Sequence, residues 1–187
     1  MRWISLIFLL IVGTAVPVIQ PLQAKDPAIS LQKTSACESF GVQKFQNRKD
    51  APVFSLKDLN GNQVSLKGYY GKPLLLFFWA SWCPACKEDL ALLDNYLRKN
   101  SGLIEILTLA IDGEKEKRVK SIVKDQKITL PVLLDRKEVM ARAYGVRMVP
   151  TALLISREGV MEGVIIGQRD WCAPEAHLAI QELLNLR

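Results

Sequence analysis

Residues 79–87 read WASWCPACK, and they follow an unbroken apolar run, LLLFFW, at residues 74–79. A run of this kind is typical of a central strand that is buried on both faces. Beyond the two cysteines, apolar residues recur at helical spacing through Leu90, Leu93 and Leu97. The stretch therefore predicts a strand that passes directly into a helix, with a Cys-x-x-Cys pair at the junction.

The position of this pair predicts its chemistry. Cys83 is expected in the first turn of the helix, where unsatisfied N–H groups and the positive end of the helix dipole stabilise a thiolate. Pro84 suits the same turn, since its φ is preset and no N–H is needed there. Cys86 lies one turn further on, on the apolar face, and is expected to be buried. We therefore predict a reversible dithiol–disulfide couple in which Cys83 attacks and Cys86 resolves the mixed disulfide.

Predicted strands and helices alternate along the rest of the chain. Hairpins are predicted at residues 53–66, around the NGN at 60–62, and at 151–166. Further strands are predicted at residues 103–111 and 131–134, and helices at residues 114–126, 137–144 and 174–186. This alternation indicates an α/β fold with a mixed central sheet and helices on both faces.

Length and charge exclude several classes of protein. The chain has 187 residues, 49% of them apolar, which is enough for one globular domain with a buried core. Its formal charge of +6 is spread among acidic residues without a basic stripe, so nucleic-acid binding is not expected.

The N-terminus has the pattern of an export signal. Arg2 precedes an apolar run from Ile4 to Ile19, which is short for a membrane-spanning helix and is weakened by Gly13 and Pro17. Residues 1–24 are therefore predicted to be a signal peptide or an N-terminal membrane anchor. Either alternative places the folded part outside the cytoplasm, in the periplasm or on the inner membrane facing it.

Two further segments complete the predicted domain organisation. Residues 25–50 are polar and unpatterned, and we interpret them as an arm. Residues 51–187 are predicted to form the single domain.

The stretch WASWCPAC at residues 79–86 resembles the active site of the thioredoxin superfamily. The export signal, the hairpin at 53–66 and the extra strand–helix material at 113–136 are similar to the TlpA/ResA branch of exported thiol–disulfide oxidoreductases. The VPT at 149–151, which enters a later strand, makes the combination specific. The resemblance implies a thioredoxin fold with an added N-terminal β-hairpin and a strand–helix insertion.

The resemblance also implies a function and a client surface. The expected task is reduction of disulfides in client proteins, such as apocytochrome c or copper-site proteins of oxidase assembly, with re-reduction by a membrane electron donor. Pro150 is expected to be cis and to lie against the cysteines. The residues expected to contact clients are Trp82, Pro84, Ala85, Val149 and Pro150.

The chain departs from the family pattern at one position and varies it at another. Thioredoxin has a buried Asp six residues before the first cysteine, where this chain has Phe77. TlpA/ResA-type proteins commonly place a Glu three residues after the second cysteine, where this chain has Asp89. Asp89 shares the helix face of Cys86, so it is a candidate catalytic base for that thiol. The alternative is that Asp89 is only an acidic residue favoured in a first helical turn.

The other two cysteines, Cys37 and Cys172, lie near opposite ends of the mature chain. Disulfides persist outside the cytoplasm, and four cysteines allow three connectivities. The sequence favours Cys83 with Cys86, because they are tethered on one turn, and hence a structural bridge between Cys37 and Cys172. The alternative is that Cys37 and Cys172 are two free thiols or a regulatory pair.

Other classes of function were weighed against disulfide exchange. A copper-binding assembly factor could use the two thiolates as soft ligands, but the sequence lacks a Met- or His-rich stretch to complete such a site. A thiol peroxidase would need a solitary attacking cysteine in a Thr-containing loop. A zinc site is not expected, since there is no second Cys-x-x-Cys and His177 is the only histidine. We therefore predict neither a bound metal nor a cofactor.

Overall fold

A computed structural model of the chain describes residues 35–186, which belong to one compact unit spanning Lys33–Arg187. The predicted signal or anchor at residues 1–24 lies outside the described residues, as does the start of the predicted arm. Among the described helices, none is long and apolar enough to cross a membrane.

Within residues 35–186, eight strands form two sheets. In chain order they are β1 (Gln43–Lys44), β2 (Ser55–Lys57), β3 (Gln63–Ser65), β4 (Leu74–Trp79), β5 (Glu105–Ala110), β6 (Val132–Leu134), β7 (Thr151–Ile155) and β8 (Met161–Ile166). The central sheet has the order β1-β8-β7-β4-β5-β6, and β2 and β3 form a separate hairpin. Because β4 is parallel to β5 and antiparallel to β7, the sheet is mixed, as predicted.

Five α-helices accompany these strands in the described part of the chain. They are α1 (Ala36–Phe40), α2 (Pro84–Lys99), α3 (Glu116–Asp125), α4 (Val139–Ala143) and α5 (Pro174–Leu184). Leu75 and Phe77 of β4 pack in one core layer with side chains of α2, α3 and α5. Leu76 and Phe78 point to the other layer, with Ala141 of α4. The unbroken apolar sequence of β4 thus follows from burial of both its faces.

The thioredoxin fold with its predicted additions is confirmed. In the N-terminal hairpin Leu56 pairs with Val64, and the carboxylate of Asp58 accepts the turn N–H groups of Asn60 and Asn62 at 2.8 Å each. The strands are shorter than predicted, because β2 begins only at Ser55 and β3 ends at Ser65. Ahead of β2, Val53 is exposed and Phe54 packs in the core. The inserted segment contains α3 and β6.

The described part of the predicted arm lies along one edge of the sheet. Ser35 and Glu38 form a capping box at the start of α1, and β1 pairs with β8. Glu182 of α5 accepts hydrogen bonds from the Ala36 N–H at 2.9 Å and from Lys44 Nζ at 3.0 Å. Helix α1 is thereby attached to α5, and β1, which follows it, is the outermost strand of the sheet beside β8.

Candidate active site

The two cysteines of the motif are joined in a disulfide at the start of α2. Cys83 is the N-cap residue and Pro84 the first helical residue. The N–H of Cys86 donates to Cys83 Sγ at 3.2 Å, as a helix N–H does to a capping side chain. The two Cα atoms are 5.3 Å apart. Cys83 is 6% exposed and Cys86 fully buried, so only Cys83 reaches the surface.

The loop that leads into Cys83 is held by the neighbouring strand. Ser81 is buried, and both its N–H and its Oγ donate to the carboxylate of Asp112, at 3.1 and 2.5 Å. Asp112 follows β5, just as Ser81 follows β4. We did not predict this pair, although two polar residues directly after adjacent parallel strands are a signal that could have found it. The contact fixes the backbone two residues before Cys83.

The loop before β7 lies against the disulfide. The Val149–Pro150 peptide bond is cis, which confirms the prediction for Pro150. The carbonyl oxygen of Val149 is 3.9 Å from Cys83 Sγ. Among the described residues, the N–H of Val149 has no hydrogen-bond partner. The backbone beside Cys83 can therefore accept a further extended segment.

Apolar side chains surround Cys83 on the surface. Trp82 is 54% exposed, Pro84 is exposed and Ala85 is half-buried. Met148, two residues before the cis-proline, is 60% exposed. Sequence reasoning missed Met148, since an isolated Met carries no pattern of its own.

Asp89 is completely buried on the same helix face as Cys86. Its Oδ1 accepts the N–H of Arg169 at 3.3 Å, and its Oδ2 has no partner among the described residues. Burial raises the pKa of Asp89 to about 6, against the lowering effect of Arg169 and Trp171. Because residue 77 is a phenylalanine, which is fully buried, β4 offers no carboxylate at that position. Asp89 is therefore an ionisable group three residues after Cys86 on the same helix.

The predicted bridge between Cys37 and Cys172 is absent from the structure, where both cysteines are free. The buried Cys37 thiol donates to the carbonyl of Ala179 in α5 at 3.4 Å. The exposed Cys172 accepts from Asn95 of α2 at 3.3 Å. The two sulfurs are thus engaged with different helices, which is why they do not meet.

A pair of cysteines at a helix start, opposite a cis-proline on this sheet, can exchange a disulfide with a dithiol. The surrounding apolar surface and the open backbone at Val149 leave room for a polypeptide. Together with the fold, these features define the class of thioredoxin-fold thiol–disulfide oxidoreductases.

Comparison with known proteins agrees with that class. The AhpC/TSA family model matches residues 48–164, and the chain belongs to this family. It is 34% identical over 128 residues to the thiol-disulfide oxidoreductase ResA of Bacillus subtilis, covering 68% of this chain and 71% of the relative.

Two solved structures extend the comparison. StoA from Bacillus subtilis matches with a TM-score of 0.58 and 27% identity, covering 69% of this chain and 95% of its own. The exposed lipoprotein thioredoxin Etrx1 of Streptococcus pneumoniae matches with a TM-score of 0.60 and 31% identity, covering 68% and 98%. The protein is accordingly a thiol–disulfide oxidoreductase.

Proposed function

We propose that this oxidoreductase works outside the cytoplasm as a reductant of client disulfides, with Cys83 as the attacking and Cys86 as the resolving thiol. The observation that carries the assignment is the hydrogen bond from the Cys86 N–H to Cys83 Sγ at the start of α2. In the reduced protein the same N–H and the helix dipole stabilise negative charge on Cys83. Cys83 is also the cysteine of the pair that retains exposure.

The exchange proceeds in two displacements. The Cys83 thiolate attacks one sulfur of a client disulfide, the client bond breaks, and the other client sulfur leaves as a thiolate that takes up a proton. Cys86 then loses its proton and attacks Cys83 Sγ, which releases the second client thiolate. Two electrons have passed from the dithiol to the client, and the Cys83–Cys86 disulfide is the product.

Asp89 is proposed to accept the proton of Cys86 in the second displacement. The two side chains share one face of α2, three residues apart, and Asp89 is buried with one oxygen unpartnered. A carboxyl whose pKa is raised by burial exchanges protons with a thiol more readily than an exposed one.

Client binding is proposed to use the backbone beside the cis-proline. The unpartnered N–H of Val149 and its carbonyl can pair with an extended client segment in the manner of an added strand. Trp82, Pro84, Ala85 and Pro150 would flank the client cysteine on either side.

The cellular setting is proposed from the N-terminal residues and from one relative. The apolar run after Arg2 supports export, and the Streptococcus pneumoniae relative is described as an exposed lipoprotein. The resemblance to the TlpA/ResA branch supports apocytochrome c or copper-site proteins of oxidase assembly as clients. A reductant outside the cytoplasm then needs a membrane electron donor, and residues 1–24, if they are retained, would anchor the protein beside it.

Two serine variants test the roles of the cysteines. Cys83→Ser should abolish exchange, whereas Cys86→Ser should accumulate mixed disulfides with clients, seen on non-reducing gels. Activity should be unchanged after copper is removed by chelation, because the thiols transfer electrons and do not carry metal. Faster alkylation of Cys86 than of Cys83 in the reduced protein would contradict the assignment.

A further inference from the structure

A second surface feature lies beside the disulfide, on the face of the sheet opposite α2. It is a groove of about 440 Å³ between the segment that follows β1 and the loop that leads to the cis-proline. Its floor is formed by Val164 and Ile166 of β8. Phe45 and Met148 stand at its sides, and both are partly exposed. The groove is therefore apolar and open to solvent.

The rim of this groove is positively charged. Lys49 and Arg147 line it, both exposed, and neither forms an ion pair with another described residue. Among the described residues of the lining, none is acidic. An apolar floor with unneutralised cations above it favours a ligand that is apolar with negative charge at its edge.

The groove is continuous with the surface at which exchange occurs. Met148 lines it and is followed directly by Val149, whose carbonyl lies 3.9 Å from Cys83 Sγ. Ile166 pairs with Thr151, the residue after the cis-proline. A polypeptide that presents a cysteine to Cys83 and follows the Val149 backbone thus has its neighbouring residues at the mouth of the groove.

We infer that this groove is a specificity subsite for the client segment that flanks the attacked cysteine, and that it selects large aliphatic or aromatic residues accompanied by an acidic one. The inference rests on the proposed function, since it needs a polypeptide client at Cys83. The groove would discriminate between client segments by their side chains, which the two cysteines alone cannot do. Through Phe45 and Lys49, the segment that follows β1 would belong to the client-binding surface.

Three matched peptides test the selection. Each carries one cysteine in a mixed disulfide with 5-thio-2-nitrobenzoate, whose release on attack is coloured, within Glu-Leu-Cys-Leu-Glu, Lys-Leu-Cys-Leu-Lys or Glu-Ser-Cys-Ser-Glu. The second-order rate with reduced protein should be about three- to tenfold higher for the first peptide than for the second, as two surface ion pairs give. The first should also react severalfold faster than the third.

Variants assign these preferences to the groove. Lys49→Glu with Arg147→Glu should abolish or invert the preference between the acidic and the basic peptide. Lys67→Glu with Lys124→Glu changes the net charge equally at exposed positions outside the groove, and it should retain the preference. Ile166→Thr should lessen the advantage of leucine over serine, whereas Val53→Thr, an exposed position elsewhere, should not.

A small uncharged substrate distinguishes a role of the groove from disulfide exchange at Cys83. Hydroxyethyl disulfide should react at the same rate with every variant, because it does not reach the groove. Equal wild-type rates for the acidic and basic peptides, or the same loss in the Lys67/Lys124 control, would overturn the groove while leaving the proposed function intact. A wild-type protein that reduced none of these disulfides would overturn both.

Discussion

Two neighbouring carboxylates in the second turn of α2 lie in opposite environments. Glu88 is exposed and accepts a hydrogen bond from Gln168, whereas Asp89 is buried beneath the loop that contains Arg169. Burial raises the pKa of Asp89 to about 6, and the negative charge of Glu88 adds to the rise. At the scale of single residues, Asp89 is thus the group beside the thiols that can take up or release a proton near neutral pH.

The kinetic consequence concerns the resolving step. Asp89→Asn removes the base proposed for Cys86, so resolution of a preformed mixed disulfide should slow by about 10²-fold and its pH dependence should move upward. Asp89→Glu keeps a carboxylate and should retain activity. The step can be followed by stopped-flow release of the client thiol. Wild-type rates for Asp89→Asn from pH 6 to pH 9 would show that the proton leaves by water.

The same residue predicts how stability depends on pH. The pKa of Asp89 in the folded protein, about 6, lies above its ordinary value of 3.8. The folded state therefore binds more protons than the unfolded state in this window, and stability falls as pH rises through it. Asp89→Asn should be more stable than wild type above pH 6, by up to about 3 kcal/mol, and the difference should shrink to about 0.5 kcal/mol near pH 4 and vanish at about pH 3.

Urea denaturation of the oxidised protein measures this difference. Glu114→Gln, at an exposed position, should leave the pH profile unchanged and serves as the control. A wild-type profile that is parallel to that of Asp89→Asn from pH 4 to pH 8 would contradict the raised pKa.

The two cysteines outside the motif should react very differently. Burial raises the pKa of the Cys37 thiol, whereas Cys172 is exposed. An alkylating reagent should therefore modify Cys172 in the folded protein and Cys37 only after unfolding, as peptide mass spectrometry can show. Recovery of a peptide in which Cys37 and Cys172 are linked would instead establish the bridge that the sequence favoured.

At the scale of elements, the strands and helices that could be predicted from the sequence are those whose residue pattern is local. The apolar run at residues 74–79 and the helical spacing after Cys86 specify β4 and α2 without reference to the rest of the chain. The helix and strand within residues 35–50 were not predicted, because their stability comes from contacts with α5 and β8 and not from their own pattern. The contact between Ser81 and Asp112 was missed for the same reason, since it depends on which strands are neighbours.

That contact joins two elements at the site, and its loss should be measurable. Asp112→Ala removes the acceptor for the N–H and Oγ of the buried Ser81, which should lower the free energy of unfolding by about 1–3 kcal/mol. Because the freed loop carries Cys83, exchange with hydroxyethyl disulfide should also slow. Ser121→Ala, which removes an exposed hydrogen bond in α3, should change neither quantity appreciably. An unchanged exchange rate in Asp112→Ala would show that α2 alone positions Cys83.

At the scale of the whole molecule, the direction of electron transfer depends on the difference in stability between the oxidised and reduced proteins. A reductase should have a potential near that of thioredoxin, about −270 mV, and an oxidant one near that of DsbA, about −120 mV. We expect the former value for the Cys83–Cys86 couple, measured by equilibration with glutathione, together with a higher melting temperature for the oxidised protein. A potential near −120 mV would make the protein an oxidant.

This quantity marks the limit of prediction from sequence. The motif at residues 79–86 identifies the couple and Pro150 its neighbour, but the interval of about 150 mV between the two reference proteins corresponds to only about 7 kcal/mol. The potential depends on how strongly the folded protein favours the thiolate over the disulfide. It cannot be summed from residue identities.

The short pairing of β1 with β8 has a consequence for solubility. Strand β8 has a paired neighbour on both sides because Gln43 and Lys44 lie along its outer edge, where backbone hydrogen bonds of Phe45 and Lys49 continue the contact. Without them its free N–H and C=O groups would form a template onto which another chain could add a strand. Gln43 and Lys44 of β1 thus protect the outer edge of β8 from pairing with another chain.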